Sequence, residues 1–164
     1  MFINIILILL SILLLFAAYK NFKLKDLIII PGIMDKVITG SLIGALVLFF
    51  LVAYMINANV FGYLFAICTW ILFYTLMTCT GFTKEHLIYY GGINIFLSKK
   101  KISELKYLKV DYTYASGIVR TLVRGNLLKR TIYFQKNYLK TIEKILKRNN
   151  VDFYEKNESV KESN

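Results

Sequence analysis

The sequence predicts a membrane α plus soluble α+β protein: three transmembrane helices followed by an antiparallel β-meander that one C-terminal amphipathic helix caps. Three observations lead there. Uncharged apolar runs occupy residues 2–19, 37–56 and 61–81. Each is close to the roughly 20 residues that a helix rising about 1.5 Å per residue needs to cross a hydrocarbon core about 30 Å thick. After Gly81 the chain switches abruptly, at GFTKEHLIYYGG, to charged segments with strand-like alternation. All 21 lysines and arginines fall either between the first two runs or after the third. Composition agrees: 57% hydrophobic residues, a mean hydropathy of +0.54 and a net charge of +11 describe a chain too apolar for an ordinary soluble domain and too basic to lie wholly in lipid.

The first run, FINIILILLSILLLFAAY, has only Asn4 and Ser11 as polar members. A cleaved secretory signal would carry positive charge ahead of its apolar core, but the first lysine, Lys20, comes after it; the run therefore reads as an uncleaved anchor. Only residues 57–60 separate the second and third runs, so these two helices form an antiparallel hairpin. Gly40 and Gly44, with Ser41 and Ala45 beside them, give the second helix a smooth packing face, either for another span of the same chain or for a second copy.

Orientation follows from charge. Lys20, Lys23, Lys25 and Lys36 lie in the first connection, seventeen basic residues follow Gly81, and none lies elsewhere. The positive-inside rule then predicts a multi-pass membrane protein with its N-terminus outside, a cytoplasmic loop over residues 20–36 and a cytoplasmic C-terminal half. Within that loop, residues 27–30 are apolar, Pro31-Gly32 is a turn signal, and Asp35 stands where an N-cap belongs. The segment reads as interfacial or docked against the soluble half, the alternative being a slightly longer, tilted first or second helix.

The soluble domain is expected over residues 82–150 and the membrane domain over 1–81. A β-prone run at 87–90 ends at Gly91-Gly92, and Ile93, Ile95 and Leu97 then alternate with Asn94, Phe96 and Ser98. A strand over 105–114 places Leu108, Val110 and Tyr112 on one face and Tyr107, Lys109 and Asp111 on the other. Turns at 115–117 and at Gly125-Asn126 separate it from strands over 118–124 and 128–135, the last burying Leu128, Ile132 and Phe134. Asn137 is placed to cap a helix whose apolar stripe is Leu139, Ile142, Ile145 and Leu146, with Glu143 and Lys147 as a supporting pair. Residues 151–164 are expected to be a frayed tail.

This arrangement resembles the bacterial pleckstrin-homology-like domains of small membrane proteins, many of them of unknown function. The residues that carry the resemblance are Phe82, Thr83, Lys84, Glu85, Leu87 and Tyr90 at the start, Ile102 and Leu105 at a basic corner, and the terminal helix over 137–149. It implies a protein of the bacterial inner membrane with a partial PH-like fold, completed by the 27–30 segment or by a second copy.

No catalytic, cofactor or metal site is expected. The single histidine, His86, has only adjacent Glu85 as an acidic neighbour. Cys68 and Cys79, eleven residues apart in the third run, read as reduced, buried small hydrophobes. No charge interrupts the spans, which gives no ion or proton path through them. The basic residues are spread over turns, strands and helix, so nucleic acid is not the expected partner. Lys20, Lys23, Lys25, Lys99, Lys100 and Lys101 form a basic collar that reads either as positive-inside bias or as contact with anionic headgroups. The function expected is a non-enzymatic scaffold for a protein partner or anionic lipid, alone or as a homo-oligomer, with no small-molecule substrate. The alternative is an immunity-type protective protein or an accessory subunit of a transport complex.

Overall fold

A computed structural model describes residues 2–34, 36–57, 59–92, 95–115, 117–125 and 129–156. The chain divides into two compact units, and each is discontinuous. One comprises residues 1–27, 34–79 and 90–97; the other comprises 28–33, 80–89 and 98–164. The boundary expected at 81/82 is therefore crossed more than once.

The helical unit contains α1 (Phe2–Lys25), α2 (Lys36–Asn57) and α3 (Val60–Thr78). All three are long and apolar enough to cross a membrane. Helix α3 packs against both α1 and α2. Only 17%, 11% and 33% of the positions in the apolar windows of α1, α2 and α3 are buried, so aliphatic and aromatic side chains cover most of the outer surface, as lipid rather than water requires. Asn59 caps α3: its side chain accepts from the Gly62 N–H at 3.0 Å and its amide donates to Asn4 Oδ1 at 3.1 Å. The Trp70 indole N–H reaches the Leu42 carbonyl at 3.0 Å, tying α3 to α2. The first helix runs six residues past the expected end at Tyr19, because Lys20, Lys23, Leu24 and Lys25 are good helix formers. Asp35, expected as a cap for α2, lies outside the described residues, as does Ala58 of the hairpin turn.

The second unit contains two four-stranded sheets. The first has the order β1 (Ile30–Pro31), β2 (Gly81–Phe82), β3 (His86–Tyr89) and β4 (Ser98–Lys101), all antiparallel. In chain order β5 (Leu105–Ala115), β6 (Ile118–Gly125), β7 (Lys129–Gln135) and β8 (Asp152–Lys156) form the second, whose spatial order is β7-β6-β5-β8. The sheets meet at a bridge between Ile33 and Tyr133. Thr83 makes the β2–β3 turn, its hydroxyl accepting from the His86 N–H at 2.9 Å while its own N–H donates to the His86 carbonyl at 2.8 Å. That resolves the abrupt change at GFTKEH: Gly81 and Phe82 already belong to a sheet.

Both sheets contribute to one core, in which Ile30, Phe82, Leu87, Leu108, Val110, Val123 and Phe134 are fully enclosed. Helix α4 (Leu139–Arg148) buries Leu139, Ile142 and Leu146 against it, and Glu143 pairs with Lys147 at 2.7 Å as expected. Strands β5, β6 and β7 lie within a residue or so of their expected ranges, and Leu108, Val110, Ile132 and Phe134 are buried. Leu128 and Asn126 lie outside the described residues.

Four expectations need correction. A single meander becomes two sheets, because the 3-10 turn Ile102–Glu104 separates β4 from β5, and β4 pairs with β3 while β5 pairs with β6 and β8; residues 28–33 add to the first sheet, Ile29 N–H donating to Phe82 O at 2.9 Å and Gly32 N–H to Thr80 O at 2.8 Å. The strand expected on the 93–98 alternation sits instead on Ser98–Lys101, where it is held by the ladder with β3; Ile95 and Phe96 are a bend. Asn137 lies inside a 3-10 turn (Lys136–Tyr138) and caps nothing, α4 starting after Tyr138 without a side-chain cap. Past Asn150 the chain is not a frayed tail over its whole length: Asp152–Lys156 is β8, parallel to β5, with Val151 buried and Phe153 packed on the core. Residues 157–164 lie outside the described residues.

Candidate functional site

The expected lysine collar is split between the two units. Lys20, Lys23 and Lys25 belong to α1; Lys99, Lys100 and Lys101 form β4. In β4 the backbone partners of Lys99, Lys100 and Lys101 are Ile88, Leu87 and His86. Lys100 donates to Glu104 at 2.7 Å, a hydrogen bond that holds the Glu104 carboxyl below its ordinary range and raises the Lys100 ammonium. The folded carboxyl titrates below the unfolded one, so the contribution of the pair is present above the ordinary carboxylate range and disappears as pH falls through the folded value. NMR titration should find Glu104 titrating below a free glutamate side chain, and Lys100→Gln should raise it towards the ordinary range.

On α1 the arrangement is different. Lys20 Nζ lies 5.0 Å from the Phe16 ring centre and 5.7 Å from that of Phe96; Lys23 Nζ lies 5.0 Å from Tyr19 and Lys25 Nζ 5.4 Å from Phe22. The 95–97 segment is brought to α1 by Asn21, which is 1% exposed. Its amide donates to the Ile95 carbonyl at 2.9 Å, and its carbonyl accepts the Leu97 N–H at 2.9 Å. One side chain thus satisfies a backbone donor and a backbone acceptor some 75 residues away. Asn21→Ala strands the buried Leu97 amide, at a cost of about 2 kcal/mol. Hydrogen exchange at Leu97 should accelerate accordingly while the amides of α3 keep their protection; an unchanged Leu97 rate would contradict the clamp. Lys20, Asn21, Lys23, Leu24 and Phe96 line a shallow basin of about 330 Å³.

At Gly40 and Gly44 a Cβ would meet nothing within 4 Å, so among the described residues there is open space beside both positions. A narrower cleft of about 230 Å³, lined by Leu7, Val52, Ala53, Phe65, Ala66 and Thr69 among others, opens among the three helices. Its one hydroxyl, on Thr69, already donates to the Phe65 carbonyl.

At the other end of the chain, β8 is the last strand of its sheet. Tyr154 stands against Tyr107 edge to face with ring centres 5.9 Å apart, and Tyr107 in turn accepts from Arg124 Nη1 at 3.3 Å. Tyr154 is nevertheless about half exposed, and its hydroxyl donates to Asp152 at 3.3 Å. The other outer strand, β7, is met at Tyr133 by Ile33, and β4 carries three consecutive lysines. The signal for β8 was present in the alternation of Val151 and Phe153, masked by the polar residues that follow.

Among the described residues there is no group of three or more His, Cys, Asp or Glu able to hold a metal ion. His86 is a β3 residue opposite Lys101, and Cys68 and Cys79 are buried free thiols. No protein-family model, curated protein or solved structure matches the chain.

Proposed function

We propose that this is a non-enzymatic integral membrane protein of the bacterial cytoplasmic membrane whose β-rich unit, a PH-like domain, is a scaffold that holds a protein partner. The observation that carries the reading is the outer edge of β8. It ends the order β7-β6-β5-β8, and no described strand pairs with its far side. An extended peptide can add to such an edge through main-chain hydrogen bonds, with Tyr154 beside it as an aromatic contact. The PH-like assignment is supported by two mostly antiparallel sheets around one core with a helix near the C-terminus; the parallel strand after that helix departs from the expected meander.

The orientation we propose places the N-terminus outside and the β-rich unit in the cytoplasm. Charge asymmetry supports it, and the pairing of β1 with β2 fits the number of crossings in either orientation. Residues 28–33 and 80–82 share a sheet, so both must be on the same side of the bilayer, as they are if α2 crosses it and α3 returns. The apolar lining of the cleft among the helices lends nothing to a transport role.

A photo-crosslinking side chain at position 154 of the full chain, extracted in mild detergent, tests the scaffold reading. A stoichiometric adduct from position 154, with none from position 140 on α4, is expected. A protein that emerges alone and monomeric, or reacts equally from both positions, would refute it.

A further inference from the structure

The end of α1 combines features that point to a ligand with both a charged and an apolar part. Phe16, Tyr19, Lys20 and Lys23 stand at i, i+3, i+4 and i+7 and so share one helix face. Both lysines are exposed, and neither takes part in the two ion pairs found among the described residues, Lys100–Glu104 and Lys147–Glu143. Their ammonium groups are nonetheless held in place over aromatic rings, at the point where the uncharged run of α1 ends. Beside them the bend at Ile95 and Phe96 presents two large apolar side chains, 39% and 40% exposed, on a backbone that Asn21 fixes. A loop that leads apolar residues outward while its backbone is pinned to a helix end is poorly suited to water and well suited to the headgroup boundary of a bilayer.

We propose that the basin lined by Lys20, Lys23, Asn21 and Phe96 seats the phosphodiester headgroup of an anionic phospholipid, with Ile95 and Phe96 lying against the upper part of its acyl chains. This rests on the membrane reading above but not on the scaffold. Charge complementarity selects an anion, because two ammonium-bearing side chains that form no ion pair among the described residues line the basin. The apolar face of α1 running straight into that basin selects a lipid over a free anion: only a lipid brings a tail to Phe16 and Phe96 together with a head to Lys20 and Lys23. Asn21 is a positioning residue, since it contacts the loop and carries no charge.

The test uses the full chain purified from mixed micelles of phosphatidylcholine and phosphatidylglycerol, with retained lipid quantified by mass spectrometry. Phosphatidylglycerol should be retained in preference to phosphatidylcholine. Lys20→Gln should reduce that preference about fivefold and Lys20→Gln/Lys23→Gln about thirtyfold. Phe96→Ala and Asn21→Ala should weaken retention without changing charge, whereas Lys140→Gln/Lys144→Gln on α4 should leave it unchanged. Equal retention of the two lipids, or an equal loss in the α4 variant, would overturn the proposal. So would displacement of phosphatidylglycerol by inorganic phosphate, which would make the basin a site for free anions. Alkaline carbonate washing of membranes separates the two levels: a chain that washes off defeats the membrane reading itself, and one that stays but shows no lipid preference defeats only the headgroup site.

Discussion

Phe134→Ala should destabilise the β-rich unit by about 3–5 kcal/mol, the range for removing a fully enclosed phenyl ring. Phe134 of β7 and Phe82 of β2 are both completely buried, with ring centres 5.5 Å apart and planes tilted by 31°. Each belongs to a different sheet, so the ring pair is one of the contacts between the two sheets, beside the Ile33–Tyr133 bridge. Against a total stability of about 5–15 kcal/mol for a domain, such a loss leaves the unit marginal. Phe134→Leu, which keeps most of the volume, should cost about 1–2 kcal/mol. Denaturant unfolding of the full chain in detergent, followed by exchange at the β6 amides, measures both. A Phe82→Ala/Phe134→Ala cycle should show coupling of about 1 kcal/mol. Strict additivity would mean that the two rings do not act on each other.

Gly81→Ala should cost about 3 kcal/mol and detach β1 from β2. The residue has φ +155°, and a Cβ built on it would overlap the Ile30 carbonyl oxygen and come within 2.6 Å of Ile28 Cγ2. The obstacle is mainly backbone, in a strand of two residues whose ladder would have to open to make room. The observable result is loss of protection at the Ile29 and Gly32 amides, which donate to Phe82 and Thr80, while Thr121 and Val123 in β6 retain theirs. If Gly81→Ala leaves Ile29 and Gly32 protected, the close approach of these two segments is wrong.

Elements whose cause is local were legible in the sequence; those fixed by distant partners were not. An uncharged run of about 20 residues has one stable environment, which is why α1, α2 and α3 could be placed, and β5–β7 and α4 follow from the periods of 2 and 3.6. Strand β1 is a dipeptide containing proline, and nothing in Ile30-Pro31 itself announces that Phe82 will be its neighbour. Strand β4 is three lysines and a serine, a composition that reads as solvated charge until the β3 ladder fixes it. At the candidate site Lys20 and Lys23 were recognisable from charge alone. Asn21 between them was not, because a single asparagine at a helix end suggests capping or solvent, and its partners lie at residues 95 and 97.

The pairing of β1 with β2 also dictates an order of events during synthesis. Residues 28–33 leave the ribosome about fifty residues ahead of Phe82, and joining two segments so far apart on a flexible nascent chain would cost about 3 kcal/mol in loop entropy. The intervening chain is no flexible loop, since α2 and α3 fold back on each other and return Cys79 towards the place where Met34 left. Insertion of that hairpin is therefore the step that makes the first sheet affordable to close. A fragment beginning at Thr80 would be born without its outermost strand, leaving Gly81 and Phe82 with a bare edge.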